Sequence, residues 1–215
     1  MKRNYRAVLF DLDGTLADSL ADLANATNTA LVAVGCPPHP LASYRHMVGD
    51  GARTLCARAV PADQPELVDE VRQRMRDHYA AHCFDATRLY PGILELVRVL
   101  AERGCTLAVL SNKPDDFTNQ MIAHYFQPNP FQVVRGHRAH APLKPDPASA
   151  LAIAAELQIP PASWLYLGDT NTDMQTARAA GMIPIGVLWG FREREELLAS
   201  GAAEIIAKPA DLLKL

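Results

Sequence analysis

Two pairs of aspartates each follow a short apolar run directly. Asp11 and Asp13 come after Ala7-Val8-Leu9-Phe10, and Asp169 and Asp173 come after Trp164-Leu165-Tyr166-Leu167-Gly168. On an extended chain residues two apart point the same way, so Asp11 and Asp13 can converge at the carboxyl end of a strand. Asp13-Gly14 is equally a hairpin signal. The helical spacing that starts at Leu16 favours a site over a returning strand. Asp169 can act as a helix N-cap, but a cap does not account for Asp173. Four carboxylates on one edge repel strongly unless a hard cation joins them. Oxygen donors with few soft ligands favour magnesium over zinc.

Two further motifs follow the same logic. Ser111-Asn112-Lys113 succeeds the apolar run at 106–110. A hydroxyl and backbone N–H groups at a strand-to-helix turn can receive phosphate oxygens, although Ser and Asn are also common helix caps. Lys144, fixed before Pro145, can neutralise a phosphoryl group as a point charge or can be a solvated loop lysine.

These residues need elements to hold them. Apolar runs at 7–10, 106–110, 131–134, 164–167 and 183–188 alternate with helix-period stretches, including 93–103 and 174–180. The alternation predicts an α/β fold, a doubly wound parallel sheet with strands buried on both faces. The interval between Asp13 and Thr106 is far longer than a crossover requires. Its apolar positions recur at helical spacing, first Leu16, Leu20, Leu23, Thr27, Leu31 and Val34, later Leu67, Val71, Met75, His78 and His82. Shorter helices at 44–48 and 52–59 meet at Gly49-Asp50-Gly51. Residues 17–88 are therefore expected to form an inserted all-helical cap on a core built from 1–16 and 89–215. Arg53, just past that mobile turn, is a candidate to pair with a substrate carboxylate, or is an exposed helix arginine.

Composition narrows the partners. With 215 residues, 49% hydrophobic and 21% charged, the chain is an ordinary globular protein, and a net charge of −3 disfavours nucleic acid and anionic membranes. Four widely spaced cysteines read as small core hydrophobes rather than metal or disulfide partners. Lys2, Arg3 and Arg6 precede an apolar run too short for a signal or membrane segment. A cytoplasmic protein is expected, monomer or homodimer.

In order and rough spacing, Asp11-Leu12-Asp13-Gly14-Thr15, Ser111-Asn112, Lys144-Pro145 and Gly168-Asp169-Thr170-Asn171-Thr172-Asp173 resemble the four motifs of the haloacid dehalogenase superfamily. The likeness spans the whole chain, and Val109 to Pro114, Val48 to Ala52 and Trp189 to Arg192 look most like its phosphoglycolate phosphatase branch. The resemblance implies a Mg2+-dependent phosphatase acting on a small phosphate monoester, 2-phosphoglycolate first among them. Asp11 would be the nucleophile and Asp13 the acid and base. The Asp11 carboxylate, the Asp13 carbonyl and Asp169 would hold Mg2+, with Asp173 ordering its waters or Lys144. Ser111, Asn112 and Lys144 would cradle the phosphate. A phosphosugar mutase of the same superfamily and a non-catalytic module on this fold are the alternatives. A dehalogenase would need neither Asp13 nor the second acidic pair.

Overall fold

The computed structural model describes residues 5–215, so Lys2 and Arg3 lie outside the described residues. The chain opens with strand β1 (Ala7–Phe10), buried along its whole length. A tight turn follows in which Leu16 and Ala17 both donate N–H to the Leu12 carbonyl. The helical pattern expected from Leu16 therefore starts later. Strand β2 (Ala17–Asp18) comes first, and only then helix α1 (Leu20–Ala33). Helices α2 (Leu41–Met47), α3 (Ala52–Ala59) and α4 (Val68–His82) complete the insertion. Strand β3 (Arg88–Leu89) then pairs antiparallel with β2, so the outgoing and returning chains form a two-stranded ribbon. Asp22, buried in the first turn of α1, clamps this base by accepting from the Ala86 and Thr87 N–H groups and the Thr87 hydroxyl.

Beyond the ribbon the chain alternates. Helix α5 (Ile93–Glu102), strand β4 (Thr106–Pro114), helix α6 (Asp115–Tyr125), strand β5 (Val133–His137) and helix α7 (Ala148–Glu156) come first. Strand β6 (Trp164–Gly168), helix α8 (Asn171–Ala179), strand β7 (Ile183–Val187), helix α9 (Arg194–Ala199) and strand β8 (Glu204–Ile206) follow. The six-stranded sheet has the order β5-β4-β1-β6-β7-β8, and every pairing is parallel. This is the doubly wound order, with the switch of direction at β1, where such sheets take ligands.

Alternation along the strands divides the core. Ala7, Leu9, Trp164 and Tyr166 pack on one face with Ile153 and Ala177, from α7 and α8. Val8, Phe10, Leu107 and Leu165 face the other way, in a cluster that runs without a break into Leu31, Tyr44, Leu55 and Met75 of the insertion.

Two elements differ from expectation. The run at 131–134 places its strand two residues later, because Phe131 turns inward against Phe10 and Phe126 while an edge strand tolerates the polar Arg135 and His137. On α4 the buried stripe is Val68, Val71, Met75 and Tyr79, not one through His78 and His82. Tyr79 lies one helical turn beyond Met75 and supplies the aromatic bulk there, so the His82 ring is left exposed. No helix among the described residues is long and apolar enough to cross a membrane.

Candidate active site

The carboxyl ends of β1, β4 and β6 meet at one edge of the sheet, and the aspartate motifs sit there. Asp11 continues β1 by donating its N–H to the Leu167 carbonyl at 2.9 Å, and its side chain is buried. Lys144 Nζ lies 2.8 Å from Asp11 Oδ1 and 2.7 Å from Asp173 Oδ1. Asp173 is fixed in turn by its place at the start of α8. Its Oδ2 accepts from the Thr170 N–H and hydroxyl, while Thr170 caps the Asp173 N–H, a reciprocal capping box. Asp169 accepts from the Thr15 hydroxyl at 3.0 Å and the Phe191 N–H at 2.8 Å.

Asp11, Asp169 and Asp173 each offer an oxygen within 4.8 Å of the others, all three buried. Among the described residues the cation paired with them is Lys144, which reaches Asp11 and Asp173. Burial and the neighbouring Asp173 charge raise the Asp11 carboxyl to about 7, against the pull of Lys144. Burial, Asp173 and Asp11 likewise raise Asp169. Burial opposes the Lys144 charge, but Asp11 and Asp173 outweigh it and keep the ammonium protonated. A cluster of hard oxygens short of positive charge is the environment a divalent cation fits. Asp169 and Asp173 each have both oxygens engaged within the fold, whereas Asp11 has one oxygen paired with Lys144.

Space around these carboxylates is made by glycines. A Cβ on Gly14, which has φ +86°, would fall 2.2 Å from Asp169 Oδ2. One on Gly190 would fall 2.2 Å from the Asp169 Cβ, and one on Gly168 would fall 2.2 Å from the Asp173 Cβ.

Asp13 stands apart from the triad. Both of its oxygens accept from Lys113 Nζ, at 2.9 and 3.1 Å. Ser111, buried on β4, lines the same cavity as Asp13. Asn112 is committed elsewhere: its Oδ1 accepts the Lys144 N–H, and its Nδ2 donates to the Lys144 and Gly49 carbonyls. Its amide thus fixes the Lys144 backbone instead of offering a free donor to a phosphate.

Arg53 is not at the site. Its side chain is 70% exposed and faces Asp69 on α4 at 3.5 Å. Ala52 and Leu55 of the same helix line the cavity, and Arg53 projects from another face of it.

Nothing in the sequence singles out Tyr79, and Thr15, Lys113 and Arg192 stand there only as members of motifs, with no role of their own. Lys113 had a usable signal, because it stands two residues after Ser111 just as Asp13 stands two after Asp11. For Arg192 the signal is only its place in the stretch Trp189 to Arg192, since its value lies in contacts across the fold. It is buried, with Nη1 donating to the Arg45 carbonyl and Nη2 to the Val48 carbonyl at 3.0 Å.

Residues 8–187 match the haloacid dehalogenase-like hydrolase family. A Vibrio vulnificus protein named phosphoglycolate phosphatase is 33% identical, over 99% of this chain and 96% of its own length. One of the same name from Rhodospirillum rubrum is 35% identical, over 96% and 89%. Among solved structures, a predicted phosphoglycolate phosphatase from Haemophilus somnus superposes with a TM-score of 0.90 at 26% identity, covering 100% of this chain and 99% of that one. A haloacid dehalogenase-like family protein from Streptococcus pneumoniae gives 0.85 at 28% identity, with 98% of both chains covered.

Proposed function

The chain belongs to the haloacid dehalogenase-like hydrolases, and we propose that this phosphatase hydrolyses 2-phosphoglycolate through an aspartyl-phosphate on Asp11. The observation that carries the reading is Lys144, held between Asp11 at 2.8 Å and Asp173 at 2.7 Å with Asp169 alongside. That arrangement presents one carboxylate as nucleophile while a buried cation waits for the phosphoryl oxygens.

Asp11 attacks phosphorus in line, the phosphorus–ester oxygen bond breaks, and Asp13 delivers a proton to the departing alcohol. Asp13 then takes a proton from the water that attacks the aspartyl-phosphate, which releases inorganic phosphate. Ser111 and Lys144 hold the equatorial oxygens. Asp11, Asp169 and the Asp13 carbonyl are the residues to hold Mg2+, which supplies charge neutralisation at the transferring group. Asp173 fixes Lys144 in place.

Residues 17–88 act as the cap over a core of 1–16 and 89–215. Thr172 donates to Asp50 Oδ1 at 2.7 Å and Arg45 donates to the Gly190 carbonyl at 2.8 Å, so the insertion's loops rest on the site. Closure of this kind keeps bulk water from the chemistry.

A screen of small phosphate monoesters with Mg2+, reading inorganic phosphate, tests the reading. It expects turnover with 2-phosphoglycolate among the preferred substrates. Transfer of the phosphoryl group to a sugar without phosphate release would replace hydrolysis with mutase chemistry.

A further inference from the structure

A cavity of about 100 Å³ opens from Asp11 and Asp13 toward the insertion, with Tyr79, Ser111, Lys113 and Phe117 in its wall. Most of its other lining is apolar, including Leu23, Val48, Leu55 and Met75. Two polar groups in this wall keep hydrogen-bonding capacity beyond their contacts in the fold. The Tyr79 side chain is only 2% exposed, and among the described residues its hydroxyl has no well-formed hydrogen bond, the Lys113 ammonium being the polar group near enough to act on it. A buried, unsatisfied hydroxyl costs free energy, so its retention calls for a reason. Lys113 is the second. Its side chain is 3% exposed, and its ammonium lies 4.6 Å from the centre of the Tyr79 ring. Its nitrogen reaches both Asp13 oxygens, and an ammonium can donate three hydrogen bonds.

We propose that Lys113 and the Tyr79 hydroxyl together bind a carboxylate on the leaving alcohol, one carbon removed from the ester oxygen. The inference rests on the phosphatase reading and names the group that reading's substrate must carry. If Asp13 meets the ester oxygen, a carboxylate one methylene away comes within reach of a lysine already touching Asp13. The phenol can only help as a donor, and burial holds its proton well above the ordinary tyrosine range. The Asp13 carboxylate at 2.9 Å holds the Lys113 ammonium in place. One donor comes from the core strand β4 and the other from α4, so the pair is complete only with the insertion in place.

The arginines near the cavity are poorer candidates. Arg76 is about half exposed, pairs with Asp116 at 2.5 Å and lies over the Phe117 ring. Arg72 is also half exposed and faces Asp69 at 3.4 Å. Both stand at the rim, where water competes for any anion.

The test compares kcat/KM for 2-phosphoglycolate with that for ethyl phosphate, which has the same chain without the carboxylate. Their ratio cancels any general damage to Asp13 or to the fold. Tyr79→Phe should lower the ratio by about 10- to 100-fold, as expected for a lost hydrogen bond to a charged group. The melting temperature of the free Tyr79→Phe enzyme should hold or rise, because an unsatisfied hydroxyl is removed. A purely structural tyrosine would instead lower stability and leave the ratio unchanged. Lys113→Met should collapse the ratio by a similar factor, and Lys113→Arg should restore part of it. Equal losses on both substrates would overturn the proposal, as would a ratio that Arg76→Ala abolishes and Tyr79→Phe does not. A wild-type enzyme that hydrolyses ethyl phosphate as well as 2-phosphoglycolate would also overturn it and leave the phosphatase reading standing. Hydrolysis of neither, with Mg2+ present, would remove the reading beneath it.

Discussion

Asp11 is held where its own charge is disfavoured, and this has consequences for both rate and stability. Asp11→Asn keeps the shape and removes the proposed nucleophile, so kcat should fall by at least about 10³-fold, or roughly 4 kcal/mol of transition-state stabilisation. Folding should survive. In the metal-free protein the Asp11 carboxyl sits at about 7 rather than its ordinary 3.8, raised chiefly by burial and then by Asp173. Between those values the folded chain holds a proton that the unfolded chain has lost, so this residue's contribution to stability falls as pH rises. Denaturant titrations in EDTA should show wild type losing ground to Asp11→Asn between pH 3.8 and about 7. A flat difference across that window would mean the cluster is not short of positive charge.

Among the elements, α3 and α4 carry the clearest lesson about what a sequence discloses. Helical spacing located both helices, but not which of two neighbouring residues faces inward. A one-residue rotation of α4 brings Tyr79 rather than His78 toward the site, and on α3 a single step separates the cavity-lining Ala52 from the outward Arg53. Periodicity constrains a stripe, whereas its phase is set by packing between helices far apart in sequence. The β2–β3 ribbon was hidden for a related reason, since two-residue strands have no period to detect. Arg53→Ala should therefore change kcat/KM for 2-phosphoglycolate by less than about twofold, because an exposed pair with Asp69 contributes little. Arg192→Ala should be costly. It strips charged donors from the Arg45 and Val48 carbonyls at the end of α2 and should destabilise the protein by about 1–3 kcal/mol in thermal or chemical unfolding. Near-wild-type stability would show that the insertion does not depend on that arginine for its anchorage.

For the molecule as a whole, the sheet and the acidic motifs were legible together, because a parallel strand buried on both faces leaves a continuous apolar run that ends where the functional residues begin. A net charge of −3 offers an anionic substrate no long-range attraction. On the proposed mechanism affinity comes from Lys144, Lys113 and a divalent cation, and metal removal should be felt everywhere. EDTA should abolish turnover and Mg2+ should restore it, with Ca2+ a poor substitute because it tolerates more ligands and looser geometry. Mg2+ at a hundred times its Kd should add about 2.7 kcal/mol to global stability, measurable as a rise in melting temperature. Activity undiminished by chelation would refute the metal's role.

The three glycines that crowd the acidic cluster extend this vulnerability beyond the reactive groups. Gly14, Gly168 and Gly190 come from three separate stretches of chain, yet each leaves the space of a single methyl group to Asp169 or Asp173. In a library of random single variants, these positions should be as barren as the aspartates themselves. Even alanine, the mildest replacement, would drive a carboxylate out of line. Survivors at Asp13 or Ser111 would retain a shaped but slow site, whereas substitutions at these glycines would erase its shape. A lineage drifting away from phosphatase chemistry could therefore lose it through a glycine codon while every acidic residue remained in its alignment column.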